Sequence, residues 1–170
     1  MSRTKAILAR LSRSLPGRSR PGRVGLLTFV LTVTAVFAAP PPSMADGSYY
    51  WECSYSWVTC QTGVLVSSFS YDMCKTAPFE GSRSTRVCID YEGDYVYVKD
   101  GSSDGWPGLA EIVGGTGDVV RRLCRNTHTA GTWARCNFDW SESGSKDVYG
   151  GIVYSSASVD TTYLWSFSGA

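Results

Sequence analysis

Histidine is nearly absent from this sequence of 170 residues, which contains only His128. No Cys-x-x-Cys pair occurs either, so the usual ligand spacing of a structural zinc site is missing. The presence of only one histidine also disfavours catalysis by a cysteine–histidine pair. A triad of His128, Asp118 and a serine is the remaining catalytic alternative of this type. We expect a protein that is not an enzyme and that has no cofactor.

The sequence also lacks an apolar run long enough to cross a bilayer. The main run, residues 26–39, spans about 14 residues against the roughly 20 of a membrane helix, and Pro40 follows it. Seven basic residues and no acidic one precede the run, which is the layout of a secretory signal peptide. Ser43 and Ala45 are small residues of the kind found before a cleavage site. We expect residues 1–45 to be a signal peptide, with cleavage after Ala39 as the alternative, and no membrane anchor.

Removal of this leader leaves the mature chain short of positive charge. The whole chain has 16 Lys and Arg and 15 Asp and Glu residues. All of the acids but only nine of the bases follow residue 45, so the mature net charge is about −6. The small basic group Arg121, Arg122 and Arg125 does not make a nucleic-acid footprint on such a surface. We expect a secreted, extracellular protein without a nucleic-acid partner.

The six cysteines all follow the leader, and an even number of cysteines in an exported chain indicates disulfides. Two cysteines that face each other across a hairpin are placed symmetrically about its turn. Gly81 lies midway between Cys74 and Cys88, and Ala130 lies midway between Cys124 and Cys136, each in a predicted turn. The third pair is then formed by the two cysteines that are left. The predicted bridges are Cys53–Cys60, Cys74–Cys88 and Cys124–Cys136.

The hydrophobic pattern of the mature chain has a period of two, which is typical of strands with one buried face. Residues 132–140 and 162–168 alternate in this way. Further strands are predicted at 49–59, 64–71, 85–91, 95–99, 118–125 and 148–155, and only 109–113 is assigned to a helical turn. Gly, Pro and Asp turn formers separate the strands. The pattern predicts one all-β domain, residues 46–170, folded as a small antiparallel β-sandwich or barrel.

One loop has the spacing of a calcium-binding loop. Counted from Asp100, the oxygen-bearing residues Ser102, Asp104 and Glu111 occupy positions three, five and twelve, and Gly105 occupies the sixth. A predicted strand precedes the loop and the pair Pro107-Gly108 lies within it, which disfavours the paired-helix frame of an EF-hand. We therefore favour an acidic hairpin turn and no metal, with calcium at these residues as the alternative.

Aromatic residues are abundant, and all six Trp and all ten Tyr follow the leader. Tyr and Trp supply rigid, amphipathic contact area, and a strand at a free N-terminus can pair with the sheet edge of another chain. The predicted first strand is therefore the candidate surface for a secreted protein partner. Its predicted partner-binding residues are Tyr49, Tyr50, Trp51, Tyr55 and Trp57.

These features favour a non-enzymatic protein-interaction module, an adaptor or structural subunit of an extracellular complex. An inhibitor of an extracellular hydrolase is one alternative, with residues 75–87 as its disulfide-braced loop. A carbohydrate-binding lectin is another, with a platform of Trp133, Asn137, Asp139 and Trp140. A small secreted hydrolase would use two carboxylates from the set Glu52, Glu80, Glu92, Glu111 and Glu142.

The Arg-rich leader and the body rich in Gly, Ser, Tyr and Trp resemble small exported proteins of Gram-positive actinobacteria such as Streptomyces. Among these, residues 46–170 are similar to the adaptor subunit of umbrella toxin particles in size, export and the aromatic segment Tyr49-Tyr50-Trp51-Glu52-Cys53. The resemblance implies an exported, disulfide-bearing module that joins a lectin-bearing protein to a toxin-bearing stalk. It also implies that the aromatic segment docks to a partner and that the module has an antibacterial purpose without being toxic itself.

Overall fold

The computed structural model describes residues 49–169, so the expected signal peptide and its cleavage site lie outside the described residues. Two 3-10 turns, Trp51–Ser54 and Glu80–Ser82, accompany ten strands. The strands are β1 (Val58–Thr62), β2 (Val64–Val66), β3 (Met73–Phe79), β4 (Arg83–Asp90), β5 (Tyr95–Asp100), β6 (Gly108–Gly114), β7 (Arg121–Asn126), β8 (Trp133–Asn137), β9 (Ser145–Ser155) and β10 (Ser158–Ser168).

The strands form a β-sandwich of two five-stranded sheets. The first sheet has the strand order β1-β7-β6-β9-β10 and the second has the order β2-β8-β5-β4-β3. Neighbouring strands are antiparallel throughout, except for the parallel pair of β1 and β7. The expected all-β class, antiparallel sandwich and three disulfides are confirmed. A barrel is not formed, because each sheet keeps two edge strands.

The main core lies between the two sheets and follows from the alternation of the strands. The second sheet contributes Val87, Ile89, Val96 and Val98, all of them fully buried. The first sheet contributes Ala110, Ile112, Cys124, Val148 and Trp165. Full burial of one aliphatic side chain of this size favours folding by roughly 1.5–3 kcal/mol. These strands therefore supply most of the apolar contact that holds the sheets face to face.

Strand β6 is buried on both faces, which explains why the predicted helical turn at 109–113 is wrong. Ala110 and Ile112 face the main core, whereas Leu109 belongs to a second cluster that contains Tyr49 and Tyr50. A central strand covered on both sides carries consecutive apolar residues, so the period of two disappears. The N-terminal segment is thus the cover on the outer face of the first sheet.

Two of the three disulfides belong to the body of the sandwich. Cys74 and Cys88 are directly opposite each other on β3 and β4, as the hairpin argument requires. Cys124 and Cys136 lie on β7 and β8, which are in different sheets, so this bridge joins the sheets. The pairing is the one predicted, but the hairpin argument for Cys124 and Cys136 was wrong.

The chain changes sheets at Gly63, between β1 of the first sheet and β2 of the second. Its N–H donates to the carbonyl of Arg125 at 2.8 Å. A β-carbon at position 63 would lie 2.8 Å from the β-carbon of Ala134, so only glycine allows this approach of the two sheets. The predicted strand 64–71 consequently stops at Val66, and the following residues form a loop.

Candidate functional site

The N-terminal segment begins with two tyrosines that pack into the fold. Tyr49 and Tyr50 are 6% and 8% exposed. The hydroxyl of Tyr49 donates a hydrogen bond to the carbonyl of Leu123 at 2.9 Å. Of the five aromatic residues predicted to bind a partner, these two are therefore placed in the core and do not offer a surface.

The predicted strand at 49–59 is wrong, because Trp51–Ser54 forms a 3-10 turn and β1 begins only at Val58. The N–H of Cys53 donates to the carbonyl of Tyr50 at 3.0 Å, which is a bond of this turn. The bridge Cys53–Cys60 holds Cα atoms seven residues apart at 5.6 Å. An extended strand would place them about 23 Å apart, so the bridge and a continuous strand are incompatible.

The remaining three aromatic residues form an exposed group, which we call the aromatic cluster: Trp51, Tyr55 and Trp57. Their exposed fractions are 50%, 40% and 40%. The ring of Tyr55 stacks on Trp57 with 5.1 Å between centroids and meets the edge of Trp51 at 5.5 Å. The turn and the disulfide thus present three contiguous rings at the surface.

An ionic network ties the turn to the first sheet. The guanidinium of Arg121, on β7, contacts the carboxylates of Glu52, in the turn, and Glu111, on β6. Burial raises the pKa of Glu111 to about 7, although a hydrogen bond with Thr161 lowers it. Glu52 also accepts a hydrogen bond from the hydroxyl of Tyr50 at 3.2 Å. These contacts fix the position of the aromatic cluster relative to β6 and β7.

The four residues of the predicted calcium loop are not brought together. Asp100 ends β5, and its carboxylate accepts the N–H of Ser102 at 2.9 Å. Asp104 forms an ion pair with Arg83 at 3.5 Å, and Glu111 lies on β6 in the ionic network. Within residues 49–169, no group of three or more His, Cys, Asp or Glu side chains is arranged to hold a metal ion. The expected acidic hairpin turn is not formed either, because the segment connects β5 of the second sheet to β6 of the first.

The histidine triad of the enzymatic alternative is not assembled. His128 and Asp118 lie in the loops at opposite ends of β7. Residues 101–105 read Gly-Ser-Ser-Asp-Gly, which has the spacing of a nucleophile elbow with Ser103 at its centre. An elbow joins a strand to a helix, whereas this segment joins β5 to β6, and in the described chain no hydrogen bond links Ser103 to His128.

The five glutamates proposed as sources of a catalytic carboxylate pair lie on different elements or loops of the fold. Of the five glutamates proposed for it, Glu52 and Glu111 come together, and they share the guanidinium of Arg121. Arg121 was not among the residues predicted for the site. The available signal was the alternation in β7, which puts Arg121 on the same face of the sheet as Leu123 and hence beneath the N-terminal segment.

The surfaces proposed for a lectin and for an inhibitor also differ from expectation. Trp140 is 3% exposed and packs in the main core, so it cannot join Trp133 in a platform. Trp133 lies on the outer face of the second sheet with its ring against Phe69, at 4.9 Å. Residues 75–87 are mostly paired in the β3–β4 hairpin, and only the three residues Glu80–Ser82 separate its strands. No long disulfide-braced loop is available there for a protease.

Comparison with protein-family models, curated proteins and solved structures gives no match for this chain. In the part of the chain that the structure describes, no helix has the length and apolar character needed to span a membrane.

Proposed function

We propose that this chain is a secreted, non-enzymatic protein-interaction module that serves as an adaptor or structural subunit of an extracellular complex. The observation that carries the proposal is the exposed aromatic cluster of Trp51, Tyr55 and Trp57 on a disulfide-braced turn. Trp and Tyr are the residues most enriched among the few that dominate the free energy of protein association. The cluster is the surface that would enter a pocket of the partner.

Rigidity of the turn supports this assignment. Ordering a mobile segment on binding consumes part of the interaction free energy, and a pre-organised segment avoids that cost. Here the bridge Cys53–Cys60, the buried Tyr49 and the contact of Glu52 with Arg121 hold the turn before any partner arrives. The three rings can therefore bind with little loss of conformational freedom.

The proposed compartment agrees with the disulfides. Three bridges join all six cysteines, and such bridges persist in oxidising compartments outside the cytosol. The resemblance to the adaptor of umbrella toxin particles suggests a large exported subunit as the partner and an antibacterial complex as the assembly. Docking would occur through the rings of a braced turn and not through a free strand.

The test is to purify the tagged full-length chain from the culture medium of the strain that encodes it. We expect large exported proteins to co-purify in fixed stoichiometry with the parent. The double variant Trp51→Ala/Trp57→Ala should lose them, because removal of one dominant anchor lowers affinity by roughly 30-fold or more. Deletion of residues 46–51 is a poorer test, because it removes the core residues Tyr49 and Tyr50.

Tyr163→Ala is the matched control, since Tyr163 is 54% exposed on β10, the opposite edge strand of the first sheet. It should retain the partners. Equal retention by the double variant would refute the role of the aromatic cluster. Recovery of the parent alone would refute the adaptor proposal, and recovery with a single hydrolase would replace it by the inhibitor alternative.

A further inference from the structure

A cavity of about 400 Å³ lies at the end of the sandwich away from the aromatic cluster. One wall is formed by Asp100, at the end of β5, and by Ser103 and Trp106 of the β5–β6 connection. The other is the β7–β8 loop, including Thr127 and His128. The aromatic cluster adjoins the start of β7, whereas the cavity adjoins its end, roughly 16 Å along the strand. The volume is within the usual range for small-molecule sites, about 300–1,000 Å³.

The β5–β6 wall is held in place by contacts outside the cavity. The guanidinium of Arg83 stacks on the ring of Trp106 with 4.5 Å to the centroid and forms an ion pair with Asp104. The ring of Tyr154 meets Trp106 at 4.6 Å in an edge arrangement. The N–H of Ser84 donates to the hydroxyl oxygen of Ser102 at 3.1 Å. The position of the indole is therefore set before any ligand binds.

The β7–β8 wall is equally fixed. The side chain of Asn126 is fully buried, donates to the carbonyl of Val98 at 3.0 Å and accepts the N–H of His128 at 2.9 Å. The ring Nε2 of His128 lies 3.0 Å from the carbonyl oxygen of Gly63. Because a carbonyl only accepts, Nε2 carries a proton and donates it to this oxygen.

The chemistry of the lining selects the class of ligand. Among the described residues, the lining contains one carboxylate, Asp100, several hydroxyl and amide groups, and no Lys or Arg. An anion such as a phosphate would meet the carboxylate without a compensating cation, which disfavours it. Burial raises the pKa of Asp100, and within residues 49–169 the N–H of Ser102 is the one hydrogen-bond donor found at its carboxylate. A ligand rich in hydroxyl groups would supply such donors.

We propose that the cavity binds a neutral sugar residue. The apolar C–H face of the ring would lie against Trp106, and its hydroxyl groups would donate to Asp100 and exchange hydrogen bonds with Ser103 and Thr129. The cavity is distinct from the lectin platform expected from sequence, which is not formed. Sugar binding here is independent of partner binding by the aromatic cluster, so the same module would have two separate binding surfaces.

The test is a titration of the ¹⁵N-labelled mature chain with D-glucose, D-galactose, D-mannose and N-acetyl-D-glucosamine, followed by NMR. We expect at least one sugar to shift the indole N–H of Trp106 and the amides of residues 101–106 and 127–130, with a dissociation constant on the order of 1 mM. Asp100→Asn keeps the shape and the acceptor for Ser102, and should weaken binding about tenfold. Trp106→Ala should weaken it by a similar factor.

Trp57→Ala is the matched control and should bind sugar like the parent. The proposal is overturned if no sugar shifts the cavity signals, if Asp100→Asn and Trp106→Ala bind like the parent, or if inorganic phosphate binds more tightly than the sugars. Because Asp100→Asn is nearly isosteric, its affinity for the sugar tests the proposal even if Trp106→Ala is poorly folded. Loss of protein partners on substitution of Trp51 and Trp57 would be unaffected by any of these outcomes.

Discussion

Replacement of Cys124 and Cys136 by alanine would remove the covalent link between the two sheets. We expect this double variant to lose more stability than Cys53→Ala/Cys60→Ala, although both remove one bridge. The difference arises from burial, because Cys124 and Cys136 are 0% and 2% exposed inside the main core. Cys53, by contrast, is only partly buried against the second cluster.

Loop closure alone distinguishes the two bridges poorly. The sequence separations of 12 and 7 correspond to about 2.8 and about 2.4 kcal/mol of unfolded-state entropy at 25 °C. Removal of a buried sulfur adds about 1 kcal/mol for lost transfer free energy and for the void that it leaves. Two such atoms are lost in the core and one in the second cluster. The expected losses are thus about 5 kcal/mol for the inter-sheet bridge and about 3 kcal/mol for the N-terminal one.

The measurement is urea unfolding of the parent and both double variants, analysed by linear extrapolation, with intact mass used to verify the two remaining bridges. Alanine at all four positions keeps the comparison free of new polar groups. If Cys53→Ala/Cys60→Ala lost as much stability as the inter-sheet variant, burial would not govern the ranking and the reasoning would be refuted.

Three further substitutions test the packing. Gly63→Ala should cost about 1–3 kcal/mol in unfolding free energy, because its β-carbon would lie 2.8 Å from that of Ala134; an unchanged urea midpoint would contradict this. The raised pKa of Glu111, about 7, means that the folded state holds this proton more tightly, so the parent should lose stability relative to Glu111→Gln as the pH rises from about 4.5 to 7. Contact with Arg121 opposes the effect of burial, so the unfolding free energy of the parent relative to the variant should fall by at most about 3 kcal/mol. A parent that becomes more stable relative to the variant over this pH range would contradict the prediction. Lys146→Met should raise the unfolding free energy by about 1 kcal/mol, because the ammonium is fully buried and has no hydrogen-bond partner within residues 49–169; a loss on thermal or urea unfolding would show that its contact with aromatic rings outweighs desolvation.

Much of the fold follows from the period of two, because strands with one buried face reveal themselves by alternation. β8 is a case in point, with Ala134 and Cys136 buried and the alternate residues Trp133, Arg135 and Asn137 at least partly exposed. The method fails where burial is not one-sided. Leu109 and Ile112 of β6 are both fully buried, since the N-terminal segment covers the face that would otherwise meet water. The hydrophobic pattern of β6 alone cannot predict that a segment distant in sequence packs on its outer face.

The candidate site was predicted in composition but not in shape. The alternation of aromatic residues between 49 and 57 is typical of a strand. Only the bridge Cys53–Cys60, which joins cysteines seven residues apart, indicates that the segment bends. Which rings are exposed depends on tertiary contacts, such as the hydrogen bond from Tyr49 to Leu123, and these contacts leave Trp51 outside. Such contacts cannot be predicted from the local sequence, because Tyr49 and Leu123 are 74 residues apart in the chain.

The parallel pairing of β1 with β7 also determines when the fold can form. Val58 is paired with Arg121, and β2, which follows β1, pairs with β8. A chain that emerges from a channel with its N-terminus first therefore has no sheet partners for its leading strands until more than half of the domain has followed. Closure of such long loops slows folding, so β1 and β2 stay unpaired until β7 and β8 are available, although β3, β4 and β5 can pair among themselves earlier. The two leading strands thus depend on partners that come more than 60 residues later in the chain.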